Sequence, residues 1–133
     1  MITQAIIPLA GLGTRMLPLT KAVPKELWPM GSKSILEIIL DECFDIGIKN
    51  IILVISSEKE TIKELFKFKK KINNKIKNKA DIFARVKKLE KYGKKIKFVY
   101  QNKPKGLGDA VLTCKNLINK SHFLLFCLLY TSP

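Results

Sequence analysis

Histidine is almost missing from this 133-residue sequence, where His122 stands alone. That argues against a metal centre built from several imidazoles and against a Ser-His-Asp triad. Cysteine is sparse too. Cys43, Cys114 and Cys127 lie far apart, with no Cys-x-x-Cys spacing, an odd count and apolar surroundings. They are expected to be reduced, buried thiols of a cytoplasmic protein, not a disulfide frame. No apolar run approaches the roughly 18–20 residues needed to span a bilayer. The opening stretch, MITQAIIPLAGLG, has no basic leader and reaches proline and glycine too early for a secretory signal. Acidic residues are outnumbered, 11 against 25 Lys and Arg, which leaves a formal charge of +14.

What remains is an ordinary globular balance, 47% apolar and 27% charged, in a chain long enough for one domain with a real core. Much of the basic excess lies between Lys59 and Lys97, in KFKKKINNKIKNK and RVKKLEKYGKKIK. Arg85 is the one arginine there, and few aromatics are interleaved. Bidentate recognition of phosphates or bases and stacking on bases are therefore poorly served. The segment reads as a solvated, helical, lysine-rich excursion that draws in anions over long range. Nucleic acid is not an expected partner, and a basic nucleic-acid-binding protein is the alternative of another class.

Periodicity gives an alternating order. QAIIPLA (4–10) reads as a strand, with Pro8 at its end or at a bulge because proline removes a ladder donor. Residues 33–48 read as a helix with Ile35, Leu36, Ile39, Cys43 and Ile46 on its buried stripe, Ser32 or Ser34 as its cap and Gly47 at its end. IKNIILVIS (48–56) reads as a strand buried on both faces. A second helix starts near Ser57 or Glu58, with an N-cap and an acidic first turn. KIKFVYQ (95–101) is a third strand, GLGDAVLTCKNLI (106–118) a glycine-opened helix, and FLLFCLL (123–129) a fourth strand. Such β-α alternation predicts an α/β fold with a parallel sheet covered by helices. Ligands then bind beyond the carboxyl ends of the strands, where the loops after Ala10 and after Gln101 emerge.

Residues 11–32 form one long loop, because Pro18, Pro24 and Pro29 discourage a regular helix. A loop of this length in a compact domain is usually functional. It is not a dinucleotide fingerprint: Gly11 and Gly13 fit, but Met16 occupies the third glycine position. Nor is MGSKS at 30–34 a Walker A loop, since Lys33 does not follow a glycine. The pattern left is G-x-G-T-R followed by LPLTKAVPKE. Gly11 and Gly13 let backbone amides approach an anion or a base closely. Arg15 and Lys25 supply cations suited to a phosphorus centre under attack and a departing pyrophosphate.

AIIPLAGLGTRMLPLTKAVPKEL and VYQNKPKGLGDAV (99–111) together resemble the signatures of bacterial UTP–glucose-1-phosphate uridylyltransferases, within the sugar-nucleotide pyrophosphorylases. The resemblance covers roughly residues 3–56 and 98–118 and is loose over the lysine-rich middle. It implies a Rossmann-like nucleotide-diphospho-sugar transferase fold. It implies that the backbone of Ala10 and Gly11 holds the uridine base, that Gln101 reads the uracil edge with Gly106 against it, and that Glu26 sits near the same end. Gly13, Thr14 and Arg15 would surround the triphosphate, and Lys25 would bind phosphate oxygens in the transition state. Arg15 and Lys25 are thus the implied catalytic residues. The implied substrates are UTP and glucose 1-phosphate, with Mg2+ bridging the phosphates in a homo-oligomeric full-length enzyme. A thymidylyltransferase or another sugar-1-phosphate nucleotidyltransferase is the nearest alternative, and a catalytically dead nucleotide sensor is a further one.

Departures from that family are specific. It commonly has His where this chain has Asp109. It also carries a Leu-Pro-Asp segment, whose Asp helps bind the metal, where this chain reads LLFCLLYTSP (124–133). No Asp or Glu follows Asp109, so this chain supplies no metal ligand there. The sequence is therefore expected to hold the nucleotide-binding part over residues 1–126, with a basic excursion at about 59–97 and a tail foreign to the family at 127–133.

Overall fold

The Ile-, Leu- and Val-rich runs pair in parallel, as continuous apolar strands flanked by helices should. In the computed structural model, which describes residues 1–11, 17–103, 105–119 and 122–127, the chain runs β1 (Gln4–Pro8), β2 (Pro29–Met30), β3 (Lys33–Ser34), α1 (Ile35–Asp45), β4 (Asn50–Ile55), α2 (Lys70–Ile76), α3 (Ala80–Gly93), β5 (Ile96–Tyr100), α4 (Leu107–Thr113) and β6 (Leu124–Leu125). The main sheet has the order β5-β4-β1-β6, all pairs parallel. Ile6 lies opposite Ile52, Leu53 opposite Phe98, and Ala5 opposite Leu124. Pro8 ends β1, as its missing donor requires.

Alternation along the central strands makes two cores. Ile7, Leu53 and Ile55 point to one face and pack with Leu36, Ile39, Leu40 and Cys43 of α1. Ile6, Ile52 and Val54 point to the other and pack with Ala110 of α4 and with Cys114. Each fully buried Ile or Leu contributes about 1.5–3 kcal/mol over an exposed one, so the two strands β1 and β4 carry most of the apolar stabilisation.

Ser34 is the cap of α1: its Oγ accepts from the Glu37 backbone N–H at 3.1 Å. Gly47 closes the helix at φ +101°, and Ile48 N–H reaches back to the Cys43 carbonyl at 3.1 Å. Ile46 does not join the buried stripe. It is 68% exposed, because the helix ends at Asp45 and the helical phase no longer applies to it. The proline-braced loop contains no α-helix among its described residues, but it is more structured than expected. It holds single 3-10 turns at Leu19–Lys21 and Lys25–Leu27, then the β2–β3 hairpin, which turns at Gly31 with φ +70°.

The segment expected as a second helix after β4 is a 3-10 run, Ser57–Phe66, broken at Lys59. Ser56 flanks it without making a capping bond. The lysine-rich stretch beyond it is helical, as α2 and α3, yet one face of α3 is tied down and not simply solvated. Arg85 and Lys88 each donate to Glu37 at 3.0 Å. Lys88 also lies 2.9 Å from Asp41, Tyr92 donates to Asp41 at 2.6 Å, and Lys33 donates to it at 2.8 Å. Burial alone would raise Asp41, but hydrogen bonds from Lys33, Tyr92 and Lys88 outweigh it and hold its carboxyl down to about 2. Glu37 is likewise held low: burial opposes, and Arg85 and Lys88 prevail. The helix expected over 106–118 stops at Thr113, and the strand expected over 123–129 is described only at Leu124–Leu125, with residues 128–133 outside the described set.

Candidate nucleotide site at the strand ends

β1, β4 and β5 all point their carboxyl ends to the same edge, and both loops of interest leave there. Leu9 N–H donates to the Val54 carbonyl at 2.7 Å, and Gln101 N–H donates to the Ile55 carbonyl at 2.8 Å. The loops after β1 and β5 are thus fastened to neighbouring residues of β4. Asn102 Oδ1 accepts from Ser57 N–H at 2.8 Å, which draws the β5 loop against the start of the 3-10 run.

Lys59 organises this edge. Its Nζ donates to Glu26 Oε1 at 2.7 Å and also donates to the Leu9 carbonyl. Lys59 is 7% exposed and Glu26 1%. A buried ammonium and carboxylate lose several kcal/mol of hydration each, which is recovered only through close, well-formed contacts such as these. The Lys25–Leu27 turn places Glu26 inward; the kink in Ser57–Phe66 falls at Lys59 itself. Among the described residues, Glu26 Oε2 and Ser56 Oγ are buried without a hydrogen-bond partner. Ser56 and Lys59 help line a cleft of about 470 Å³ whose other wall includes Thr20, Lys21 and Pro24.

At the β5 end, Gln101 is buried. Its Nε2 donates to the Gly106 carbonyl at 3.2 Å and to Asp109 Oδ2 at 2.8 Å. Gly106 sits at φ +93°, left-handed backbone that glycine adopts without strain. The structure therefore brings Gln101 and Gly106 into contact and places Glu26 beside the end of β1, where Ala10 is buried and Gly11 exposed. Lys25 lies half-buried in the neighbouring turn. Gly13, Thr14 and Arg15 lie outside the described residues.

Sequence reasoning missed Lys59. The sequence pattern presents it as the first lysine of a solvated excursion, although it directly follows the apolar strand and the SSE turn. Its place one turn beyond a fully buried strand end is the one hint in the sequence; the carboxylate it meets lies 33 positions away.

A family model described as nucleotidyl transferase matches residues 4–131. The chain belongs to the nucleotidyl transferase family. Among curated relatives it is 38% identical over 124 residues to the UTP–glucose-1-phosphate uridylyltransferase of Bacillus subtilis, covering 92% of this chain and 42% of that protein. It is 39% identical over 124 residues to the enzyme of the same name from Mycoplasma pneumoniae, with the same 92% and 42% coverage. Among solved structures it superposes on a UTP-bound UGPase from Acinetobacter baumannii with TM-score 0.86 and 33% identity, covering 96% of this chain and 45% of that one. A putative glucose-1-phosphate thymidylyltransferase from Bacillus anthracis shares the fold alone, at 18% identity and TM-score 0.68. This family member spans less than half the length of the relatives it matches. No helix among the described residues is long and apolar enough to cross a membrane.

Proposed function

We propose that this chain is the nucleotide-binding part of a UTP–glucose-1-phosphate uridylyltransferase. The observation that carries the reading is the convergence, at one sheet edge, of the Leu9–Gly11 exit, the buried Glu26 and the Gln101–Gly106 contact, in a chain similar to proteins of that name. In this reading the base lies against Ala10, Gly11, Gln101 and Gly106, with Glu26 at the same end. Gly13, Thr14 and Arg15 surround the triphosphate. A phosphate oxygen of glucose 1-phosphate attacks the α-phosphorus of UTP, the α–β bond breaks, and UDP-glucose and pyrophosphate result. Arg15 and Lys25 offset the charge that builds on the phosphate oxygens. The working form is a cytoplasmic homo-oligomer.

The reaction class calls for Mg2+, and the described residues do not fit it. Glu26 Oε1 is taken by Lys59, Asp109 accepts from Gln101, and no group of three or more His, Cys, Asp or Glu that could hold a metal ion occurs among the described residues.

Calorimetric titration of the chain with UTP, dTTP and CTP tests the reading. Saturable binding with UTP preferred is expected. Preference for dTTP moves the assignment to a thymidylyltransferase, and absence of binding to any of the three rejects it.

A further inference from the structure

Three chain segments meet at one ammonium group. Lys59, from the turn after β4, holds the Leu9 carbonyl at the end of β1 and the Glu26 carboxylate from the proline-rich loop. A buried pair retained for stability alone is expected to satisfy its remaining polar atoms. Here Glu26 Oε2 is buried with no partner among the described residues, and so is Ser56 Oγ one turn away. Equivalent packing by apolar side chains would cost less than this pair does. What the pair provides instead is a fixed relation between the Leu9 backbone and one carboxylate.

We propose that Lys59 is a positioning residue of the nucleotide site, clamping the Leu9–Gly11 backbone and the Glu26 carboxylate into one preset surface for the base end of the nucleotide. The proposal rests on the reading that this chain binds UTP. Ala10 and Gly11 follow directly on the clamped carbonyl, so their amides inherit its orientation. Glu26 Oε1 is taken by Lys59, which leaves Oε2 as an acceptor for an N–H or O–H of the ligand. Lys59 acts on the base end through these groups, and the triphosphate end is not its target.

The test compares UTP with inorganic triphosphate as titrants of the whole chain, wild type against Lys59→Met and Lys59→Arg. Lys59→Met is expected to weaken UTP about tenfold or more, roughly the worth of a lost hydrogen bond, with triphosphate binding unchanged. Lys59→Arg, which keeps a cation able to hold both oxygens, is expected to recover most of the loss. Equal weakening of UTP and triphosphate, or wild-type UTP binding by Lys59→Met, overturns the proposal. If the unpaired Glu26 unfolds Lys59→Met, the double variant Lys59→Met/Glu26→Gln removes the buried charge. Measured against Glu26→Gln alone, a further UTP deficit in the double variant supports the proposal, and equal binding by the two overturns it. If the wild type itself binds no UTP, the functional reading fails separately. Amide hydrogen exchange then decides: selective acceleration at Ala10, Gly11 and residues 25–27 in the Lys59 variant supports the clamp, and unchanged exchange there refutes it.

Discussion

Tyr92 donates its hydroxyl to Asp41 at 2.6 Å, joining the lysine-rich α3 to the first helix of the sheet. The same carboxylate takes Lys33 and Lys88, and Glu37, one turn earlier, takes Arg85 and Lys88. A segment dominated by like charges is thereby anchored through its few well-placed acidic partners.

This anchor predicts the acid limb of stability. Asp41 falls from 3.8 in the unfolded chain to about 2 in the fold, and Glu37 is lowered from 4.5. Carboxylates depressed on folding contribute above their unfolded values and lose that contribution as pH falls through the folded ones. Stability should therefore drop between about pH 4 and pH 2, with Asp41 accounting for roughly 2 kcal/mol at 1.36 kcal/mol per unit. Urea unfolding across that range measures it, and Asp41→Asn should flatten the slope. Lys88 is raised above 10.5 despite burial, by its bonds to Asp41 and Glu37. Its share is fully present below 10.5 and fades as pH climbs past its folded value.

Gly93, the last residue of α3, has no room for a side chain: an added Cβ would stand 2.8 Å from Phe66 Cβ. Phe66 is in the core and that atom cannot swing away. Gly93→Ala should destabilise by about 1–3 kcal/mol, the usual cost of overpacking, read as a lower urea midpoint at unchanged slope.

Gly106 poses the opposite problem. Space around it is open, but its φ of +93° is unfavourable for any residue with a Cβ. Gly106→Ala should cost about 1–3 kcal/mol through backbone strain alone. Relaxation of that strain would shift the carbonyl that Gln101 holds. UTP titration of this variant should show weakened binding while Gly108→Ala, with open space and no positive φ, leaves it near wild type.

Cys43 and Cys114 are buried, and desolvation pushes both thiols up. Neither should react with an aromatic disulfide reagent in the folded chain, since the thiolate is the nucleophile. Cys127 is only half-buried. One equivalent of thiol should titrate before denaturation and the rest after it; early release of all three would contradict the packing described.

The sheet was legible because β1 and β4 are apolar on both faces, a pattern few other folds satisfy. Ser34 and Gly47 marked the ends of α1 through cap chemistry that acts within a few residues. Ile46 and Lys59 were misjudged for one reason. Each lies where helical periodicity stops, and what happens next depends on contacts far away in sequence. Nothing local in SSEKE says that its lysine turns inward to a carboxylate 33 positions earlier. Gln101 and Gly106 were singled out only through the resemblance, each toward the base; that they bond to one another across a single short loop is seen only in the structure.

The two loop exits hang from the carbonyls of Val54 and Ile55, which are adjacent in the chain. Adjacent α-carbons are about 3.8 Å apart whatever surrounds them. That covalent step fixes only the stagger of the two exits along β4; their spacing across the strand, two ladder steps of about 4.8 Å each, is held by hydrogen bonds. Loosening either core should therefore let the two exits drift sideways while their stagger along the strand stays as it is.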